Sequence, residues 1–114
     1  MHEYSLVQNL VDRVEAEAAK RGAIAVHRLV VRVGELSGVD PELFQTAYDT
    51  FRAGTVCDGA PLTLERVPAS WHCPGCRAPI PRGEVLTCRA CDLPAKLDEG
   101  SDALTLDGID LEVP

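Results

Sequence analysis

Apolar residues recur at three- and four-residue steps between Tyr4 and Arg21, at Leu6, Val7, Leu10, Val11, Val14 and Ala18, while Asp12, Arg13, Glu15, Glu17 and Lys20 take the opposite face. That period predicts an amphipathic helix, which Gly22 stops because glycine accepts the positive φ of a helix end. The period then changes to two. From Val26 to Glu35, His27, Leu29, Val31 and Val33 alternate with Arg28, Val30 and Arg32, a β-branched pattern that predicts a strand with one apolar face. His27 falls in the apolar phase and reads as a packing residue on that face or at its rim.

After a turn at Gly34 to Val39, Asp40-Pro41-Glu42 sets an N-cap residue before a proline at the first helical position. A second helix follows with an apolar stripe at Leu43, Phe44, Ala47, Tyr48 and Phe51, ended by Gly54. Leu62 to Val67 alternates as a strand that Pro68 closes. In the tail, Leu104 and Leu106 lie in one phase and Ile109, Leu111 and Val113 in the other. A β-bulge at Gly108 would bring both sets to one face.

Between these two strands lies a stretch rich in cysteine and proline, with little to build a core of its own. The expected fold is therefore α+β: a small sheet with two helices, formed by residues 1–68 plus 99–114, and an inserted four-cysteine, zinc-ribbon-like domain over residues 69–98.

The chain of 114 residues suits this modest plan, and its 46% apolar and 25% charged residues belong to a folded protein. Its formal charge of −7 disfavours contact with phosphate backbones or anionic lipid. No run approaches the roughly 20 apolar residues of a membrane span, and no export signal precedes the first helix. A cytoplasmic protein that binds neither nucleic acid nor membrane is expected.

Four of the five cysteines form two Cys-x-x-Cys pairs, Cys73/Cys76 and Cys88/Cys91. Each pair makes a knuckle that aims two thiolates to one side, and two knuckles close a tetrahedron. Zinc is the default occupant, as a structural staple with no open coordination position; iron in a rubredoxin-like site is the competing metal. A thioredoxin-like redox role accounts for one pair only and lacks the surrounding βαβ pattern. His72 offers an alternative Cys₃His set, although a histidine beside a ligand is more often a neighbour of the site than a member. Cys57 stands apart and reads as a buried or edge thiol.

The start of the chain, Met1-His2-Glu3, abuts the first helix directly. The α-amine of Met1, the backbone nitrogen of His2 and the His2 imidazole lie within chelating reach of one ion. With the amide ionised they occupy three corners of a square plane, the geometry of Ni(II) or Cu(II), and Glu3 can supply a fourth donor. Terminal residues with no such role are the commoner case. Asp40 reads first as a helix cap, with one carboxylate oxygen left to face outward.

Taken together, Met1-His2-Glu3, Val33-Gly34-Glu35-Leu36-Ser37, Asp40-Pro41-Glu42-Leu43-Phe44 and the two cysteine pairs resemble the HypA/HybF family of hydrogenase nickel-incorporation proteins over essentially the whole chain. The resemblance implies a non-enzymatic nickel metallochaperone that carries Ni(II) as transient cargo and Zn(II) as a structural ion. It implies nickel ligation at His2, with Met1, Glu3 and Asp40 as neighbouring candidates, and zinc ligation at Cys73, Cys76, Cys88 and Cys91. The implied partners are the nickel GTPase HypB and the large subunit of [NiFe]-hydrogenase, with urease served by some members. Unlike some relatives, this chain follows its cysteine pairs with Arg77 and Asp92 rather than histidine, and no histidine lies beyond His72. No P-loop, Gly-x-Ser-x-Gly or paired-acid constellation is present, so any GTP hydrolysis belongs to a partner. The rival reading is a zinc-ribbon interaction or regulatory module without nickel.

Overall fold

A computed structural model describes residues 3–114. Helix α1 spans Glu3–Lys20, strand β1 Ala25–Gly34, helix α2 Pro41–Phe51 and strand β2 Leu62–Val67. Three two-residue strands follow, β3 Trp71–His72, β4 Pro79–Ile80 and β5 Lys96–Leu97, before the long β6 at Leu104–Glu112. The architecture is the expected α+β arrangement, extended to 54 × 29 × 17 Å by two sheets.

The first sheet has the order β2-β1-β6, with β1 parallel to β2 and antiparallel to β6. Its parallel pair needs a crossover, which α2 supplies. Both helices cover one face of the sheet, where Val7, Leu10, Val11 and Val14 of α1 and Phe44, Ala47 and Tyr48 of α2 meet Val26, Leu29, Val31 and Val33 of β1. Cys57 and Ala60 seal this core from the loop after α2. The Tyr48 hydroxyl donates to the Ala60 carbonyl at 2.7 Å, and Arg52 Nη1 donates to the same oxygen at 2.8 Å, which fixes that loop. Burial raises both the Tyr48 phenol and the Cys57 thiol above their ordinary pKa, so both are neutral at physiological pH.

Two register shifts set which residues face the helices. The bulge expected at Gly108 is present: Val31 pairs with Leu106 and Val30 with Gly108, leaving Asp107 as the extra residue. The second shift corrects the reading of His27. Val26 pairs with Leu111 and Arg28 with Asp110, so His27 is itself an extra residue, and it leaves the apolar face. Its side chain is exposed, with Nε2 2.8 Å from Glu112 Oε1, and Val26 takes the buried position instead.

Gly34, at the end of β1, is required by a close approach of backbone. A Cβ there would lie 2.3 Å from the Gly100 carbonyl oxygen and 2.5 Å from that of Ser101. This contact presses the turn before β6 onto the end of β1, where the Leu36 N–H donates to the Ser101 carbonyl at 2.8 Å. The second sheet, order β4-β3-β5, begins from this junction.

Candidate metal centre

The second sheet has almost no apolar core; its buried residues are Cys73, Cys88 and the junction residues Ala69 and Ser101. What gathers it is the cysteine cluster. The sulfur atoms of Cys73, Cys76, Cys88 and Cys91 all lie within 4.8 Å of one another, and Cys76 and Cys88 are 3.8 Å apart. A tetrahedron of zinc–sulfur bonds of about 2.3 Å has edges of about 3.8 Å, so the donor set fits a closed tetrathiolate site.

The two knuckles are built alike. In the first, the Arg77 N–H donates to the Cys73 carbonyl at 2.8 Å and the Cys73 N–H to the Ala78 carbonyl at 2.9 Å. In the second, the Asp92 N–H donates to the Cys88 carbonyl at 2.8 Å and the Cys88 N–H to the Leu93 carbonyl at 2.9 Å. In both, the residue after the second cysteine is left-handed, with φ 64° at Arg77 and 55° at Asp92. These are the positions where a glycine would be expected and is absent. Gly75 is confined for another reason, since a Cβ there would come within 2.9 Å of Leu93 Cδ1 and 3.6 Å of Cys91 Sγ.

Within the cluster, the N–H groups of Cys76 and Gly75 point at Cys73 Sγ, 3.5 and 3.3 Å away, and draw its pKa down to about 6. Hydrogen bonding among the sulfurs, from Cys76 first, pushes the Cys91 thiol up to about 12. Four thiolates this close cannot ionise together without a cation among them, whereas a divalent ion stabilises all four.

Beside the cluster, His72 Nδ1 and the Ser70 hydroxyl both bond to the Asp98 carboxylate, Ser70 contributing most to lowering the Asp98 pKa. His72 is thereby committed to the carboxylate of the residue that follows β5, and the cluster of potential ligands contains the four cysteines without it. A junction missed by the sequence reading is Glu35 with Arg82. The Glu35 carboxylate accepts from both Arg82 Nη groups and, at 2.8 Å, from the Ala69 N–H. These hydrogen bonds, Arg82 first, hold Glu35 at a pKa of about 2. Only the Pro-Arg-Gly turn at 81–83 hinted that Arg82 would be presented for pairing.

Of the expected nickel donors, Met1 and His2 lie outside the described residues. Glu3 opens α1 and is half-buried. Asp40 caps α2 as expected: Oδ1 accepts from the N–H groups of Glu42 and Leu43 at 2.9 and 3.2 Å. Leu6 of α1 and Phe44 of α2 line the same cavity of about 160 Å³, so the first turns of both helices lie close together. Among the described residues, no helix is long and apolar enough to cross a membrane.

Comparison with known proteins extends these observations to the whole chain. A family model described as hydrogenase/urease nickel incorporation, metallochaperone, hypA matches residues 1–111. The hydrogenase maturation factor HypA of Aquifex aeolicus is 36% identical over 99% of this chain and 99% of its own. That of Wolinella succinogenes is 33% identical over 98% and 96%. The solution structure of the Ni metallochaperone HypA from Helicobacter pylori superposes with a TM-score of 0.72 at 29% identity, covering all of both chains. Another HypA solution structure reaches 0.79 at 29% identity, over 100% of this chain and 98% of that one.

Proposed function

The chain belongs to the HypA family of hydrogenase/urease nickel-incorporation metallochaperones, and from that premise we propose that it binds Ni(II) at its amino terminus and delivers it for assembly of [NiFe]-hydrogenase. The α-amine of Met1 and the backbone nitrogen and imidazole of His2 would occupy three corners of a square plane, and Glu3 would supply a further donor. Asp40 stands by as an outer carboxylate, its Oδ1 holding the helix cap while Oδ2 is left for a second task. The observation that carries this reading is the Met1-His2-Glu3 sequence, whose Glu3 opens α1, within a family-model match over residues 1–111. The shared cavity under the first turns of α1 and α2 supports a site that draws on both.

Residues 1–68 plus 99–114 form the cargo domain in this reading, and residues 69–98 the zinc domain, held by Cys73, Cys76, Cys88 and Cys91. A bound Zn(II) supplies charge neutralisation and a cross-link; the thiolates are its ligands and no coordination position is left for a reaction. The partners are the nickel GTPase HypB and the hydrogenase large subunit, in the cytoplasm, with urease a second client class. A terminal site suits a carrier, because few ligands on a short segment allow rapid exchange while the four-thiolate knuckles retain their ion.

Nickel titration by calorimetry tests the proposal, using zinc-loaded protein with its native Met1 beside His2→Ala and an amino-terminally extended chain, with zinc content measured in all three. One-to-one binding at micromolar or tighter affinity, lost in both altered proteins with zinc unchanged, is the expected result. Equal binding in all three, or none, would favour a zinc-stapled interaction module without nickel.

A further inference from the structure

The first sheet ends at β6, which pairs with β1 on one side and with no described strand on the other. The backbone phase of this edge follows from two bonds. The Ala103 carbonyl accepts from Gly34 N–H, and the Glu112 carbonyl from Ile24 N–H, both at 2.8 Å, so these two residues turn their polar groups toward β1. Successive residues of an antiparallel strand alternate, so Leu104 and Leu111 turn theirs to the free edge. Leu106 and Ile109 share that phase, because the extra residue at Asp107 lies between them. The four residues whose backbone groups face the open edge are therefore the four whose side chains face the helices.

Those side chains do not close against α1. A groove of about 640 Å³ lies along the edge, with Leu106, Ile109 and Leu111 on the strand side and Arg13, Glu17 and Arg21 on the helix side, where Glu17 pairs with Arg21. The other face of the strand is acidic. There Asp107, Asp110 and Glu112, with Glu65 of β2, meet Arg28, Arg32 and His27. Two guanidinium charges against four carboxylates leave this face at −2 before His27 is counted.

We propose that the free edge of β6 is a docking site for an extended segment of a partner protein that alternates apolar and basic residues, added to the sheet as a fourth strand. The segment's backbone completes the hydrogen bonds at the edge, its apolar side chains enter the groove and its lysines or arginines face Asp107, Asp110 and Glu112. Charge selects this occupant over a second copy of the chain. Antiparallel pairing of two β6 strands would bring their acidic residues together, and like charges across a pair destabilise it. The inference is independent of the nickel site.

The test uses the full zinc-loaded chain and a fluorescent peptide of alternating lysine and valine, with a glutamate–valine peptide and an N-methylated lysine–valine peptide as controls. Binding is followed by anisotropy and by hydrogen exchange at β6. The lysine–valine peptide should bind about tenfold more tightly than the glutamate–valine peptide, from two or three favourable cross-strand pairs. It should slow exchange at Leu104, Leu106, Ile109 and Leu111 and lose affinity when N-methylated. An Asp110→Lys/Glu112→Lys variant, shown by its melting curve to remain folded, should reverse the charge preference. Undetectable binding, binding blind to peptide charge, protection elsewhere, or self-association through β6 in sedimentation would each overturn the proposal.

Discussion

Glu35 and Arg82 form a two-pronged carboxylate–guanidinium pair that ties the turn after β1 to the cysteine module, with the Ala69 N–H donating to the same carboxylate. The pair is a polar link across the junction, and both partners are substantially exposed, so water screens it and its strength depends on pH and salt. Arg82 holds the folded-state pKa of Glu35 at about 2 against an ordinary 4.5. A carboxylate lowered in this way stabilises fully above 4.5, and its contribution fades as pH falls toward 2. Glu35→Gln should therefore melt below the wild type at neutral pH, with the gap closing in acid. Metal content must be followed along the titration, since zinc release would loosen the same junction. A gap that stays constant as the carboxylate protonates, with zinc retained, would contradict this role.

Removing the metal should dissolve the second sheet and spare the first. The β4-β3-β5 sheet lacks an apolar core, whereas the core of α1, α2 and β1 lies elsewhere. Structural zinc contributes on the order of 10–16 kcal/mol in small zinc modules, enough to order such a segment. Trp71, the single tryptophan, lies in β3 and reports on it. Chelation, or Cys88→Ser, should shift Trp71 emission toward that of an exposed indole and leave most of the helical circular dichroism in place. Parallel loss of both signals would show that the two sheets unfold as one.

The left-handed residues after each knuckle offer a gain in stability. An L-residue in this region costs roughly 1–2 kcal/mol, which glycine avoids at some cost in unfolded-state entropy. Arg77, at φ 64°, carries that cost without the tolerance that aspartate brings to Asp92. Arg77→Gly should tighten zinc binding several-fold in competition with a chelator, and Arg77→Val should weaken it. Equal affinities for both variants would remove backbone strain as the cause.

Gly34→Ala should be among the more damaging single changes outside the core. The added methyl would meet two backbone carbonyl oxygens rather than a movable side chain. Overpacking of this kind costs about 1–3 kcal/mol, read as a lower urea midpoint at unchanged slope. An unchanged midpoint would mean that the turn at Gly100 and Ser101 can retreat freely.

Asp40 has two proposed tasks that chemistry can separate. Asp40→Asn retains an oxygen for the cap, so helix stability should change by only a few tenths of a kcal/mol, whereas Asp40→Ala should cost about 1 kcal/mol. If the carboxylate also serves the cargo ion, both variants should weaken nickel binding in calorimetry. Unchanged nickel affinity in both would leave Asp40 a helix cap alone.

Periodicity along the chain was enough to place both helices, β1, β2 and β6, because each buries one apolar face and must repeat at the period of its backbone. Cysteine spacing was enough to bring Cys73, Cys76, Cys88 and Cys91 together, because two-residue gaps oblige each pair to form a knuckle. Asp40 announced its cap through the proline that follows it. The tertiary structure decided what depends on partners distant in sequence. His27 carried an apolar-phase position and lost it to a bulge, which arises from pairing with β6, 85 residues away along the chain at Glu112. Glu35 and Arg82 are 47 residues apart, and no local period marks two charges that meet only after the junction has folded. The free edge of β6 was equally illegible. Alternation shows which side chains turn inward, but which strand stands last in a sheet is settled only when the others have taken their places.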